Sequence, residues 1–220
     1  MGAEAEPSRE LPEPIRTTLL EAFERGIRWG LAGKRIDLEA ELERSLLLAQ
    51  VVDPPVPAVE LGAGAGLVGL ALAARWPTSV WHLIDRSEVA CRHLQMAAVS
   101  LDWEDRVLVH HADAESVAAD LRGSADLVVA RCFGPPPEVA ELGLPLLRPG
   151  GTLAVFEPPC STGARWEGLS TSDIGGVLVA IESRAGSRSG TSTFALVEQR
   201  RIAPSRYPRR SARRRRAPLW

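Results

Sequence analysis

The stretch Val59-Glu60-Leu61-Gly62-Ala63-Gly64-Ala65-Gly66 decides how this 220-residue chain folds. An apolar run, Val56 to Leu61, reads as a buried strand; it ends in an acidic residue and three alternating glycines, and a helix-compatible run follows from Leu67 to Arg75. Glycines suit this turn because a strand must reverse tightly into a helix while its backbone comes within contact of a ligand, and a Cβ obstructs both. A second apolar strand, Ser79 to Ile84, ends in Asp85, 19 residues after Gly66. A carboxylate there can accept hydrogen bonds from the ribose hydroxyls of a nucleoside-containing ligand.

Outward from this stretch, strands and helices alternate with short links. The periodicity predicts helices over 13–29 and 38–52. It then predicts strand 56–61, helix 66–75, strand 79–84, helix 87–101, strand 106–111, helix 114–121, strand 125–130, helix 137–147 and strand 151–156. Such alternation argues for a parallel sheet covered on both faces, an α/β architecture. Residues 158–175 read as a loop. Two further strands, 176–182 and 193–199, are joined by a Gly/Ser/Arg loop over 183–192. One domain results: a disordered start (1–12), a helical cap (13–53) and an α/β core (56–199) within a domain spanning 13–203, then a basic tail (204–220).

Composition bounds the function classes. With 45% hydrophobic residues the chain can fill a core, and no apolar stretch reaches the ~18 residues that span a bilayer. Met1 to Arg16 lacks the basic and apolar regions of a signal peptide. Cys91, Cys132 and Cys160 are odd in number and include no CxxC pair, so they read as reduced thiols in a cytoplasmic protein. The four histidines lack matched ligand spacing, and no metal site is expected. Residues 1–60 hold twelve acids against seven bases, whereas residues 198–220 hold nine arginines and one acid. That asymmetry points to an anionic partner near the C-terminus. The alternative is a solvated tail, because a single lysine among 26 basic residues marks a general preference for arginine.

The glycine turn itself admits three readings. Gly64 to Gly69 fits the dinucleotide fingerprint, and a ligand-free turn fits as well. The longer pattern, with Glu60 ahead of Gly62, Gly64 and Gly66, resembles the first motif of class I S-adenosylmethionine-dependent methyltransferases. The resemblance implies a Rossmann-like, mostly parallel sheet of seven strands closed by an antiparallel hairpin, with S-adenosylmethionine as cofactor. It also implies Glu60 near the cofactor's ammonium end and Asp85 on its ribose.

A narrower resemblance rests on Ala114-Glu115 after the third strand, on Arg131, and on the closing Tyr207-Pro208-Arg209-Arg210. These are similar to motifs of the RsmG (glucose-inhibited division protein B) family of small-subunit ribosomal RNA guanine-N7 methyltransferases. The resemblance covers about residues 56–157 and 194–218. It implies cofactor contacts at Glu60, Gly62, Gly64, Gly66, Leu67, Asp85, Ala114, Glu115 and Arg131, and ribosomal RNA as partner of the basic tail (206–216). The chain departs from the family upstream of the first strand, where it reads Arg44-Ser45-Leu46-Leu47-Leu48. It departs again after the fifth strand, where Glu157-Pro158-Pro159 replaces Lys-Gly. No catalytic base is evident, and methylation at a lone pair needs none. A small-molecule methyltransferase on the same fold, or a non-catalytic RNA- or cofactor-binding relative, are the alternatives.

Overall fold

The computed structural model describes residues 11–220. Seven strands form one sheet in the order β3-β2-β1-β4-β5-β7-β6. They are β1 (Pro57–Leu61), β2 (Val80–Asp85), β3 (Val107–His111), β4 (Ala125–Ala130), β5 (Leu147–Glu157), β6 (Gly176–Gly186) and β7 (Gly190–Gln199). The first five pair in parallel, and β7 enters antiparallel between β5 and β6. The seven-stranded architecture with its terminal hairpin is therefore the one expected.

Alternate side chains feed two cores, one on each face. Trp81, Leu83, Leu127 and Val129 pack under α1 (Glu13–Arg28), α2 (Leu38–Leu46), α3 (Gly69–Arg75) and α4 (Glu88–Ser100). Val59, Leu61, Ile84 and Val128 pack under α5 (Ala114–Val117) and α6 (Pro136–Gly143). The chain thus switches face between β1 and β4, and in such sheets the crevice at the carboxyl ends of those strands holds ligands. Helix starts follow local chemistry. Asp37 accepts from the amides of Glu39 and Ala40 at 3.0 and 3.1 Å, Ser87 caps α4, and Pro136 stands in the first turn of α6.

Several expected boundaries are corrected. The helix expected over 114–121 is a single turn. The loop expected over 158–175 contains a 3-10 run, Ala164–Thr171, that buries Trp166 and Leu169. The loop expected over 183–192 is mostly strand, since pairing continues to Gly186↔Gly190 and leaves Ser187–Ser189 as the tip. The polar Ser/Gly/Arg composition suggested a loop, but cross-strand pairs such as Ser183–Thr193, 3.0 Å between hydroxyls, satisfy it as sheet. The start of the chain over 1–10 lies outside the described residues, while Leu11, expected in the disordered segment, is buried in the core.

Candidate active site at the carboxyl ends of the strands

The glycine turn is built by positive backbone angles at Gly62, Gly64 and Gly66, with φ of 69°, 53° and 74°. These lie in the left-handed region that costs a side chain ~1–2 kcal/mol. The turn is stitched to β2: the Ile84 carbonyl accepts from the Gly62 and Ala63 amides at 2.9 and 3.0 Å. Asp85 Oδ2 accepts from the Gly64 amide at 2.8 Å and Oδ1 from the Ser87 amide at 2.8 Å. Each carboxylate oxygen keeps a further lone pair for a ligand hydroxyl.

A Cβ on Gly66 would lie 2.6 Å from Leu70 and 2.8 Å from Leu94, so this glycine serves packing. A Cβ on Gly64 would meet nothing nearer than the Leu31 carbonyl at 3.7 Å. That open, half-buried face of backbone is the cradle a nucleoside cofactor fits. Leu67 beside it is half-buried against the core.

Glu60 lies beneath the turn, 3% exposed, with Oε2 accepting from the Gly69 amide at 2.8 Å. Burial pushes its carboxyl up to about 8, against the pull of the Gly69 hydrogen bond and the Arg131 charge, and Asp85 adds to the rise. Its contact within the protein is therefore a brace on the start of α3. The space for it depends on Gly69, where a Cβ would stand 2.4 Å from Oε2.

At the end of β3, Ala114 is buried and Glu115 turns to the C-terminal arm, where its Oε2 accepts from Arg214 Nη1 at 2.8 Å. At the end of β4, Arg131 pairs with Glu41 of α2, and its guanidinium carbon stands 5.6 Å from the Phe156 ring centre. Glu41 also accepts from Arg44 Nε at 3.3 Å, and Arg44 Nη2 donates to the Ser189 carbonyl at the hairpin tip, 2.9 Å away. A chain of charge thus runs from the sheet through the cap to the hairpin. One nitrogen of Arg131, Nη1, is buried with no partner among the described residues.

These groups rim a cavity of about 430 Å³ at the ends of β4 and β5, lined in part by Arg131, Phe133, Phe156, Glu157 and Arg165. Phe133 also touches the glycine turn: a Cβ on Gly62 would fall 2.7 Å from its ring. Glu157 sits at the cavity floor with its side chain fully buried. It accepts from Trp166 Nε1 at 3.0 Å, Ser161 Oγ at 2.8 Å and Arg165 Nη1 at 3.3 Å. This carboxylate is therefore held by three donors. Glu41, Phe133 and Trp166 went unremarked as site residues in the sequence because no local motif marks them. The one available signal was Glu157 itself, a buried acid that needs donors.

The basic tail is not a free extension. Arg122 donates to the carbonyls of Ala203, Pro204 and Tyr207 at 2.8–2.9 Å, and Tyr207 Oη donates to Asp173 at 2.8 Å. Arg209 engages Glu141 through its amide, Nε and Nη2 at 2.7, 2.8 and 2.6 Å. These anchors deliver a last short helix, α7 (Ser211–Arg216), on which Arg213, Arg215 and Arg216 are exposed, as is Arg210 before it.

Comparison with known proteins agrees with the fold. Residues 37–157 match the GidB family, described as rRNA small subunit methyltransferase G. The match begins at the cap of α2, upstream of the first strand where the family's motifs were missing. The chain is 32% identical to "Ribosomal RNA small subunit methyltransferase G" of Deinococcus radiodurans over 155 residues, covering 69% of this chain and 61% of that protein. It is 30% identical to the protein of that name from Geobacillus thermodenitrificans over 160 residues, covering 71% and 67%. The alignments thus span about three fifths to two thirds of these relatives' lengths. Among solved structures, an O-methyltransferase from Bacillus cereus in complex with SAH superposes with a TM-score of 0.62 at 16% identity, covering 83% of this chain and 90% of that one. M. jannaschii TYW2 in complex with AdoMet superposes with a TM-score of 0.58 at 17% identity, covering 73% and 76%. A seven-stranded sheet with this strand order, a glycine cradle and matching sequence over residues 37–157 make the chain a member of the GidB family, rRNA small subunit methyltransferase G.

Proposed function

We propose that this chain transfers the methyl group of S-adenosylmethionine to a guanine N7 of small-subunit ribosomal RNA. The observation that carries the reading is Phe133, whose ring covers Gly62 of the cradle and lines the cavity at β4 and β5. A methyl donor on the glycine turn and an acceptor in the cavity would meet there.

Bound S-adenosylmethionine supplies an activated methyl on a sulfonium centre. The chain's residues hold and orient. Gly64 offers open backbone, and Asp85 offers two acceptors already fixed by the Gly64 and Ser87 amides. A cation of the ligand close to Glu60 would draw its carboxyl down from about 8 and release a proton near neutral pH. On the acceptor side, the Phe156 and Phe133 rings and the Arg131 guanidinium give a purine flat surfaces. Guanine N7 carries a lone pair and no proton, so alignment and exclusion of water suffice. Orientation of this kind reaches roughly 7–11 kcal/mol in well-aligned reactions. Exposed Arg210, Arg213, Arg215 and Arg216 supply cations for phosphates.

The test is incubation of the purified protein with methyl-labelled S-adenosylmethionine and small ribosomal subunits, followed by nucleoside mass spectrometry. Label in N7-methylguanosine is expected. Label in a metabolite extract and none in RNA would move the protein to the small-molecule methyltransferases of the same fold.

A further inference from the structure

The C-terminal arm reaches the cofactor side of the molecule through a single buried cation. Arg214 is 8% exposed. Its Nη1 donates to Glu115 Oε2 at 2.8 Å and also to the Arg209 carbonyl, while its Nε is buried without a partner among the described residues. Glu115 belongs to α5, the single turn that follows β3 at the carboxyl edge of the sheet, beside the crevice. A buried guanidinium with an unmet donor is an expensive arrangement. Here it persists because Arg209 is locked to the buried Glu141 and fixes the chain five residues earlier.

The rest of α7 faces the other way. Arg213, Arg215 and Arg216, with Arg210 just before them, are exposed and form no ion pair among the described residues. One short helix therefore presents a cationic face to solvent and inserts one cation into the body at Glu115.

We propose that Arg214 is a positioning residue that couples the two ligands: phosphates gripping the exposed face of α7 set the position of α5 through the Arg214–Glu115 pair, and an occupied cofactor crevice sets α7. The inference rests on the proposed RNA reading and goes beyond it, since RNA binding and cofactor binding could be independent. Coupling between sites is reciprocal, so each ligand must raise the affinity of the other by the same factor. Glu115 keeps a second carboxylate oxygen, which is how one side chain can face the arm and the crevice at once.

The experiment measures binding of transcribed small-subunit ribosomal RNA to the full chain with and without saturating S-adenosylhomocysteine, and the converse titration. Wild type should show about tenfold mutual enhancement, inside the usual 5–150-fold range. Arg214→Ala should reduce the enhancement to less than about twofold, and Arg214→Lys, which keeps the charge, should retain part of it. If Arg214→Ala lowers the thermal midpoint severely, the lysine variant carries the comparison: enhancement equal to wild type overturns the proposal, and partial loss supports it. A combined Arg210→Ser, Arg213→Ser, Arg215→Ser, Arg216→Ser variant should weaken RNA binding and flatten its salt dependence, by about 0.7 in log–log slope per lost single-strand phosphate contact. Its affinity for S-adenosylhomocysteine alone should stay at the wild-type value. Wild type binding both ligands without enhancement overturns the coupling and leaves the methyltransferase reading intact. Wild type binding no RNA overturns the coupling and the RNA assignment together.

Discussion

The two halves of the crevice are built on different principles. The proposed cofactor half is local: Gly62, Gly64, Gly66 and Asp85 lie at the ends of two adjacent strands and in the turn after the first, and the hydrogen bonds that tie the turn to β2 span 22 residues at most. The acceptor half is assembled from the whole chain. Arg131, just after β4, meets Glu41 of α2, 90 residues away in sequence, and Arg44 reaches Ser189 across 145. A site made of short-range contacts can be preserved by a motif. A site made of long-range pairs is preserved only by the fold as a whole, and it can drift in chemistry while the sheet stays the same.

The largest effects should come from breaking the local half. Gly66→Ala places a Cβ 2.6 Å from Leu70 and 2.8 Å from Leu94 in a residue with φ of 74°. Left-handed strain of ~1–2 kcal/mol and overpacking of ~1–3 kcal/mol together predict a loss of about 3 kcal/mol, read as a lower denaturant midpoint. Gly64→Ala is the contrast: it has the strain but nothing within 3.7 Å. It should cost stability only ~1–2 kcal/mol while obstructing the cradle. Undiminished S-adenosylhomocysteine binding in Gly64→Ala would show that the cradle is not where the cofactor lies.

Asp85→Ala removes the acceptor that the turn presents. It should weaken S-adenosylmethionine binding by roughly 1.5–3 kcal/mol, the range for hydrogen bonds to a charged group, as measured by calorimetry. Because Asp85 also holds the Gly64 and Ser87 amides, Asp85→Asn sharpens the result: it keeps an acceptor and should lose less. Equal losses in both variants would assign the effect to charge and not to hydrogen bonding.

On the acceptor side, Glu157→Ala strands the buried indole of Trp166 and frees Arg165. A buried donor left unmet costs ~1–3 kcal/mol, so stability should fall by about 2 kcal/mol. Cofactor affinity should be unchanged, because the three donors that Glu157 holds, Trp166, Ser161 and Arg165, all lie outside the glycine turn. Glu157→Gln keeps an acceptor for Trp166 and should recover most of the loss. A fall in cofactor affinity equal to that of Asp85→Ala would erase the division between the two halves.

The same division explains what the sequence disclosed. The sheet was legible because apolar runs and the βα rhythm report burial directly, and Val59 to Gly66 with Asp85 was legible because its partners are its neighbours. Asp85 was read from its spacing and Gly64 from the glycine pattern and the family resemblance, and the structure brings the two to 2.8 Å. Glu115 and Arg131 could be named from family motifs, but their partners Arg214 and Glu41 could not, since nothing in a linear pattern ties positions 99 and 90 residues apart. The hairpin was underestimated for the same reason. Its Ser/Gly/Arg tip has the composition of a loop, and only the third dimension shows a carboxylate from α2 holding it.

That carboxylate offers the finest test of the long-range half. Glu43 accepts from the Ser187 amide and hydroxyl at 2.8 and 2.7 Å, and from the Arg188 and Ser189 amides at 2.9 and 2.6 Å. Burial acts to raise its pKa, but the Ser187 hydroxyl and the Ser189 and Arg188 donors prevail and hold it down to about 2. A depressed folded-state pKa means that the ionised form stabilises the fold. The contribution is full above the unfolded value near 4.5 and is lost as pH falls through about 2. Glu43→Gln keeps one acceptor oxygen and removes the charge, so it should cost about 1 kcal/mol at neutral pH. Its stability curve should lack the fall that wild type shows between pH 4.5 and 2. The tip that Glu43 holds carries the Ser189 carbonyl bound by Arg44, and Arg44 shares Glu41 with Arg131. The small stability loss should therefore come with weaker acceptor binding and unaltered cofactor binding. If hydrogen exchange at Ser187–Ser189 speeds up in Glu43→Gln while acceptor affinity does not move, the hairpin is a structural brace and the acceptor half ends at Arg131.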